Sequence, residues 1–207
     1  MSPPVELPDR LVATELRADL GRAVIGRDVI VLQQTGSTND AILRIAPQNS
    51  KEGLVVFAED QTAGRGQRGN RWESAPGKGL WFSILLRPKI DVSDSPRLIA
   101  WAAETISDSI RKEFSLKTTI KLPNDIQIDG RKVAGVLVEM RAQEKAPHLA
   151  IVGIGINVNQ TLEDFPNELQ RRAISLAMAL DRQVDRQKFA VALLKNLDRT
   201  YREAFAS

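Results

Sequence analysis

The sequence has 207 residues, of which 43% are hydrophobic and 27% charged, a balance typical of a chain with a packed core. Its 29 basic and 26 acidic residues leave a net charge of +3, too small to indicate a nucleic-acid-binding protein by itself. The absence of cysteine excludes disulfides, thiolate metal sites and thiol nucleophiles, and a single histidine, His148, excludes a multi-histidine metal centre within one chain. We therefore predict no protein-held metal site.

The two ends and the hydropathy predict a soluble, cytoplasmic protein. Residues 1–8 are rich in proline and are expected to form a loose tail, without the basic start and apolar stretch of a signal peptide. No apolar run approaches the ~20 residues that a membrane-spanning helix needs.

The first half of the chain alternates predicted helices and strands. Ser37 followed by Asp40 is a capping-box pattern, which predicts a helix that begins here and ends before Pro47. A polar loop with five glycines is predicted over residues 60–79. The other predicted elements are a short amphipathic helix over residues 9–20 and strands over 29–33, 54–59 and 80–86.

The second half predicts two long helices and a group of strands. Apolar residues recur on one face of a helix over residues 96–114, and apolar residues spaced by four predict another over residues 186–205. Strands are predicted over residues 118–122, 126–128, 133–140 and 149–154. Because the strands cluster without regular alternation with helices, the predicted fold class is α+β with a mixed sheet.

A basic loop (residues 61–72) interleaves glycine with arginine. Gly64, Gly66 and Gly69 let the backbone approach a ligand closely. Arg65, Arg68 and Arg71 can bind phosphate oxygens through forked hydrogen bonds, and Trp72 can stack on a base. The same composition also fits a solvated surface loop or a single-stranded RNA-binding segment, so this motif alone leaves the function open.

The dipeptide Asp129-Gly130 predicts a two-residue hairpin turn between two strands. The implied partners are Ile128 with Arg131, Gln127 with Lys132, Ile126 with Val133, and Asp125 with Ala134. Asp125 and Lys132 are then diagonal neighbours on one face, within reach of one ligand. A surface ion pair without a function is the alternative interpretation.

Alternating glycines mark the strand that contains Gly153 and Gly155. They predict close backbone packing or a ligand lying against the strand. The third glycine and the following helix of a dinucleotide-binding fingerprint are missing. Asn157, just beyond, can hydrogen-bond a ligand or simply form a turn.

Taken together and in this order, five motifs resemble those of the biotin protein ligases. They are Ser37-Thr-Asn39, Gln61 leading into Gly64-Arg-Gly66, Lys121-x-Pro-Asn-Asp125, Arg131-Lys-x-Ala-Gly135 and Gly153-Ile-Gly-Ile-Asn157. The resemblance spans residues 9–205. It implies a single catalytic domain over residues 1–207, related to class II aminoacyl-tRNA synthetases, with helices packed mainly on one face of the sheet.

The activity implied by this resemblance is ATP-dependent formation of biotinyl-5′-AMP, with Mg²⁺ accompanying ATP. Biotin then passes to a lysine of a biotin carboxyl carrier domain, as in acetyl-CoA carboxylase. Lys132 would bridge the biotin carboxylate and the α-phosphate, and Asp125 would help to deprotonate the acceptor lysine.

The resemblance also assigns the site residues. The catalytic residues would be Lys132, Asp125, Arg65 and Arg68. Biotin would contact Ser37, Thr38, Asn39, Gln61, Gly64, Arg65, Gly66, Gln67, Lys132 and Gly135. The nucleotide would contact Arg65, Arg68, Trp72, Lys121, Asn124, Lys132 and Asn157.

The chain departs from the family pattern in several respects. Gln67 and Asn70 stand where many relatives carry arginine, and Leu122 stands where tryptophan is usual. Only 36 residues precede Ser37, too few for a winged-helix domain, and we expect no SH3-like domain after the last helix. We therefore expect no specific DNA binding; homodimer formation is left open.

Two other functions fit parts of the pattern. One is a lipoate or octanoate ligase or transferase of the same superfamily, although the polar residues at Ser37–Asn39 and Gln61 better suit the ureido ring of biotin. The other is a non-enzymatic module that binds biotin or nucleic acid.

Overall fold

A computed structural model of the protein describes residues 9–46, 50–143 and 147–205. The predicted tail over residues 1–8 lies outside the described residues, as does Pro47, the expected end of the second helix. The helices are α1 (Ala13–Leu20), α2 (Thr38–Ile45), α3 (Ser95–Phe114), α4 (Leu176–Leu180) and α5 (Arg186–Phe205). The strands are β1 (Asp28–Thr35), β2 (Leu54–Gln61), β3 (Gly79–Leu86), β4 (Thr119–Lys121), β5 (Asp125–Ile128), β6 (Arg131–Arg141) and β7 (Leu149–Asn157).

The seven strands form one mixed sheet in the order β1-β2-β3-β7-β6-β5-β4. Strands β1 and β2 are parallel, and every other neighbouring pair is antiparallel. This confirms the predicted α+β class. No helix in the described part of the chain is long and apolar enough to cross a bilayer.

The two faces of the sheet carry different layers. Because side chains alternate along a strand, Leu80, Phe82 and Ile84 of β3 point together into the main core, formed with α1, α3 and α5. Helix α2 packs on the opposite face, against Leu85 and Ile151. The helices therefore lie mainly on one face, as predicted, and the face beside α2 remains available for a site.

The start of α2 lies where the sequence predicts it, but the predicted capping box is absent. The Ser37 side chain makes no capping hydrogen bond, and Gln61 Oε1 instead accepts a hydrogen bond from the Thr38 backbone N–H at 2.9 Å. Both oxygens of the Asp40 carboxylate bind Arg65 instead.

Helix α1 also begins later than the prediction of residues 9–20. The backbone before it is held by buried charges: the Leu11 N–H donates to Glu59 and the Asp9 carbonyl accepts from Arg186. Those contacts fix an extended entry, so the helix starts at Ala13.

The hairpin of β5 and β6 is predicted correctly only near its turn. Ile128 pairs with Arg131 and Gln127 with Lys132, but a bulge then shifts the partners. Val133 has no partner, so Ile126 faces Ala134 and Asp125 faces Gly135, and the predicted pairs for these two positions are wrong. Next to the bulge, the segment 172–174 binds both backbone hydrogen-bonding groups of Lys132.

Candidate functional site

A cleft of about 420 Å³, including its opening to solvent, lies beside α2 where β3, β7 and β6 adjoin. It brings together residues of all the sequence motifs. The predicted site residues that line it are Ser37, Thr38, Asn39, Gln61, Arg65, Gly66, Trp72, Asn124, Lys132 and Gly135; Val136, Leu137, Gly153, Ile154 and Gly155 complete the wall.

Three glycines let side chains lie directly on the strands that form the cleft. A Cβ at Gly153 would stand 2.4 Å from Oδ1 of Asn39, and one at Gly155 would stand 2.5 Å from Trp72. A Cβ at Gly135 would meet Lys132 at 2.9 Å. The close packing predicted at the glycines of β7 is therefore present. It places the side chains of Asn39 and Trp72 next to each other on this strand.

One end of the cleft is lined by neutral polar groups. The Ser83 hydroxyl is 2.7 Å from Thr38 Oγ1 and 2.5 Å from Asn39 Oδ1, and its single proton can serve only one of them at a time. Thr38 is in turn bound by Gln61. Ser83 is buried behind the lining and supports Thr38 and Asn39; it was not predicted, although a serine within the apolar strand Gly79–Leu86 is the signal that would have pointed to it.

Arg65 is held at this same end by two carboxylates. Its two terminal nitrogens bind the two oxygens of Asp40 at 2.5 and 2.9 Å, and one of them also lies 3.3 Å from Glu139. The Arg65 hydrogen bond holds the pKa of Asp40 below its ordinary value, and the same bond raises the pKa of Arg65. Glu139 also accepts from Asn39 at 2.6 Å.

Glu139 is a residue that the sequence analysis missed. It shares a strand face with Gly135 and Leu137, two residues apart along β6. Extending that alternation from the Gly135 motif would have identified it.

Trp72 and Lys132 occupy the other end. The Trp72 ring lies against Gly155 and Gly135, and its buried Nε1–H has no acceptor among the described residues. Lys132 Nζ stands 5.1 Å from the centre of the Trp72 ring, within cation–π range. Trp81 approaches Trp72 edge-on, with ring centres 5.9 Å apart.

The backbone and side chain of Lys132 are both anchored. Its Nζ lies 2.6 Å from Asp125 Oδ1. Its backbone N–H donates to Arg172 and its carbonyl accepts from Ile174. Asn157 donates to the carbonyls of Ile174 and Lys132, at 3.1 and 3.4 Å, and accepts from Gln160.

Six predicted site residues do not line the cleft: Gly64, Gln67, Arg68, Lys121, Asp125 and Asn157. Asp125 reaches it only through its ion pair with Lys132, and Asn157 is buried behind it. Gly64 packs under the Trp72 carbonyl, while Arg68 adopts a left-handed conformation (φ 58°) in an exposed turn. Lys121 is exposed on β4, opposite Asp125.

The chain is similar to known proteins of one family. Residues 31–157 match the model of the biotin/lipoate A/B protein ligase family. The bifunctional ligase/repressor BirA of Bacillus subtilis is 38% identical over 96% of the chain, and the biotin–[acetyl-CoA-carboxylase] ligase of Mycobacterium tuberculosis is 34% identical over 83%. The chain spans 61% and 63% of those two proteins.

A solved structure shows the same fold. The biotin protein ligase of Aquifex aeolicus, in complex with biotin and ATP, superposes with a TM-score of 0.71 at 30% identity. The match covers 85% of this chain and 72% of that one.

Proposed function

Because the chain belongs to the biotin/lipoate A/B protein ligase family, we propose that it joins biotin to AMP and transfers it to a lysine of a biotin carboxyl carrier domain. The relatives named as biotin ligases support this assignment. A cysteine-free chain also suits the reducing cytoplasm, where we propose that it acts.

One observation carries the proposal: a single cleft has the polar side chains of Thr38 and Asn39 at one end, beside the Arg65 ion pairs, and the Lys132 ammonium at the other. Biotin has the matching polarity, with a neutral ureido ring at one end and a carboxylate at the other. Thr38 and Asn39, which line the cleft, offer hydroxyl and amide partners to the ring. Lys132 can then bind the carboxylate, with Trp72 beside it for the nucleotide.

The first half-reaction joins two anions. A biotin carboxylate oxygen attacks the α-phosphorus of ATP, the bond to the bridging oxygen breaks, and pyrophosphate leaves. Charge repulsion and positioning dominate the barrier, so a fixed ammonium at the junction is the group most needed. Asp125 and the backbone contacts of Lys132 hold that ammonium in the cleft.

Mg²⁺ enters this proposal as the companion of ATP. The described residues include no cluster of three acidic or histidine side chains that could hold a metal ion. Phosphate oxygens and water, which Mg²⁺ prefers, would then supply most of its ligands, with the effect of neutralising phosphate charge.

In the second half-reaction the acceptor lysine attacks the acyl carbon of the mixed anhydride and AMP leaves. The lysine must first lose a proton, because its ordinary pKa is about 10.4. Asp125 is only about a quarter exposed and stands beside the cleft, so we assign it to hold and accept that proton.

The test is exchange of labelled pyrophosphate into ATP by the purified protein with biotin, followed by labelling of a carrier domain. We expect exchange with biotin and not with lipoate. Exchange driven by lipoate alone would move the chain to the lipoate ligases of the same family. We also expect no band shift with duplex DNA at physiological salt.

A further inference from the structure

We propose that Asp40 and Glu139 are positioning residues that hold Arg65 in a standby position and compete for it with the anionic substrate. The identity of that substrate rests on the proposed function. The standby position itself rests only on the contacts within the chain.

The first argument is the hydrogen-bonding capacity of Arg65. A guanidinium has five N–H donors, and forked binding of a carboxylate or phosphate needs two that are parallel. Asp40 binds both terminal nitrogens of Arg65, Nη1 and Nη2, and Glu139 takes a second N–H of Nη2. No forked pair is left, so Arg65 can bind a ligand in this way only after it releases a carboxylate.

The second argument is position. Lys132 lies over Gly135, whereas Arg65 is bound to Glu139, four residues further along β6. Both cations line the cleft, at separate points along it. While Arg65 stays bound to Asp40 and Glu139, Lys132 is the cation beside Trp72. To act with Lys132 on one anion, Arg65 has to release its carboxylates.

The third argument is charge. Two carboxylates on one guanidinium give these three groups a net charge of −1, which opposes an approaching anion; the charges of Arg44 and Arg141 also act on Asp40 and offset part of it. Removing the charge of Asp40 brings the sum of the three groups to zero and weakens that opposition. The ion pair is also partly exposed, with 39% of the Arg65 side chain and 42% of the Asp40 side chain accessible, so water can assist the exchange.

The first test needs no substrate. The Asp40→Asn substitution should release the basic loop. Trypsin should then cleave the variant after Arg68 or Arg71 about three- to fivefold faster than the wild type, the factor expected for the loss of one exposed ion pair. Asp108→Asn is the matched control, because Asp108 is also 42% exposed and pairs with Arg111 on α3, away from the cleft. Equal cleavage of Asp40→Asn and the wild type would overturn the standby position.

The second test measures biotin-dependent pyrophosphate exchange. Asp40→Asn should lower the KM for biotin about threefold with little change in kcat, and Glu139→Gln should act in the same direction. A merely structural role would raise the KM or leave it unchanged, and either result would overturn the competition. If the wild type shows no exchange with biotin, the proposed function fails, and the cleavage test still decides the standby position.

Discussion

Lys132 Nζ and Asp125 Oδ1 lie 2.6 Å apart across β5 and β6, although the bulge at Val133 breaks the simple hairpin register between them. The bulge lets Asp125 face Gly135 while the Lys132 side chain folds back over that glycine. The two groups assigned to the two half-reactions are therefore one ion pair in the structure.

Lys132→Ala should abolish most adenylate formation. Losing one charge-stabilising contact of this kind commonly costs about 10²–10³ in rate. Arg65 does not replace Lys132, because its guanidinium is bound to Asp40. Single-turnover formation of biotinyl-5′-AMP measures the effect, with Lys117→Ala, an exposed lysine outside the cleft, as the control. Adenylate formation at a near-normal rate would remove Lys132 from the mechanism.

Asp125→Asn should slow transfer to the carrier more than it slows adenylate formation. Asparagine keeps the shape and a hydrogen bond to Lys132 but cannot accept a proton. Raising the pH should partly restore transfer, because more acceptor lysine is then neutral. Single-turnover kinetics of the two steps separate them, and an equal loss in both would make Asp125 a structural partner of Lys132.

Gly153→Ala and Gly155→Ala should affect different substrates, although the two positions are two residues apart on one strand. The first displaces Asn39 and should raise the KM for biotin about five- to tenfold, the size expected for about one lost hydrogen bond. The second displaces Trp72 and should raise the KM for ATP. Pyrophosphate exchange with each substrate varied in turn makes the comparison, and a shared effect on one constant would refute this division of the cleft.

Arg186→Met should destabilise the fold by about 3–5 kcal/mol, because it leaves the buried Glu59 carboxylate without its cation. Arg186 is 0% exposed and binds Glu59, Asp9 and the carbonyl of Gly79. Arg199→Met on the same helix is the control; it removes an exposed pair with Glu203 and should cost about 0–1 kcal/mol. Urea unfolding measures both, and similar losses would contradict the prediction.

Arg65→Ala should raise the pKa of Asp40 toward its ordinary value. The hydrogen bond from Arg65 is the main cause of the lowered pKa, and the charges of Arg44 and Arg141 contribute less. Because the pKa of Asp40 is lower in the folded protein than in the unfolded chain, its ionised carboxylate stabilises the folded arrangement at pH values above the unfolded pKa. That contribution is lost as the pH falls through the lowered pKa of the folded protein. NMR titration of the Asp40 carboxyl measures the shift, and an unchanged titration in the variant would exclude Arg65 as its cause.

Local patterns in the sequence determined most of the secondary structure. The spacing of Phe189, Leu193 and Leu197 predicted α5 with the bounds that it has, and Asp129-Gly130 predicted the turn before β6. Periodicity and turn preference operate within a few residues, so the chain displays them directly. The clustering of the predicted strands indicated the mixed sheet, and the motifs in their order indicated the family.

Only the tertiary structure decided which charges meet and which side chains reach the cleft. Arg65 binds Glu139, 74 residues away, and Asp40, which local pattern assigned to a helix cap. Asn157 supports the Lys132 backbone from behind the cleft, and segment 172–174 binds the same backbone from a distant part of the chain. Such partners are chosen by packing between distant segments, because a buried or half-buried polar group binds whichever complementary group the fold brings nearest.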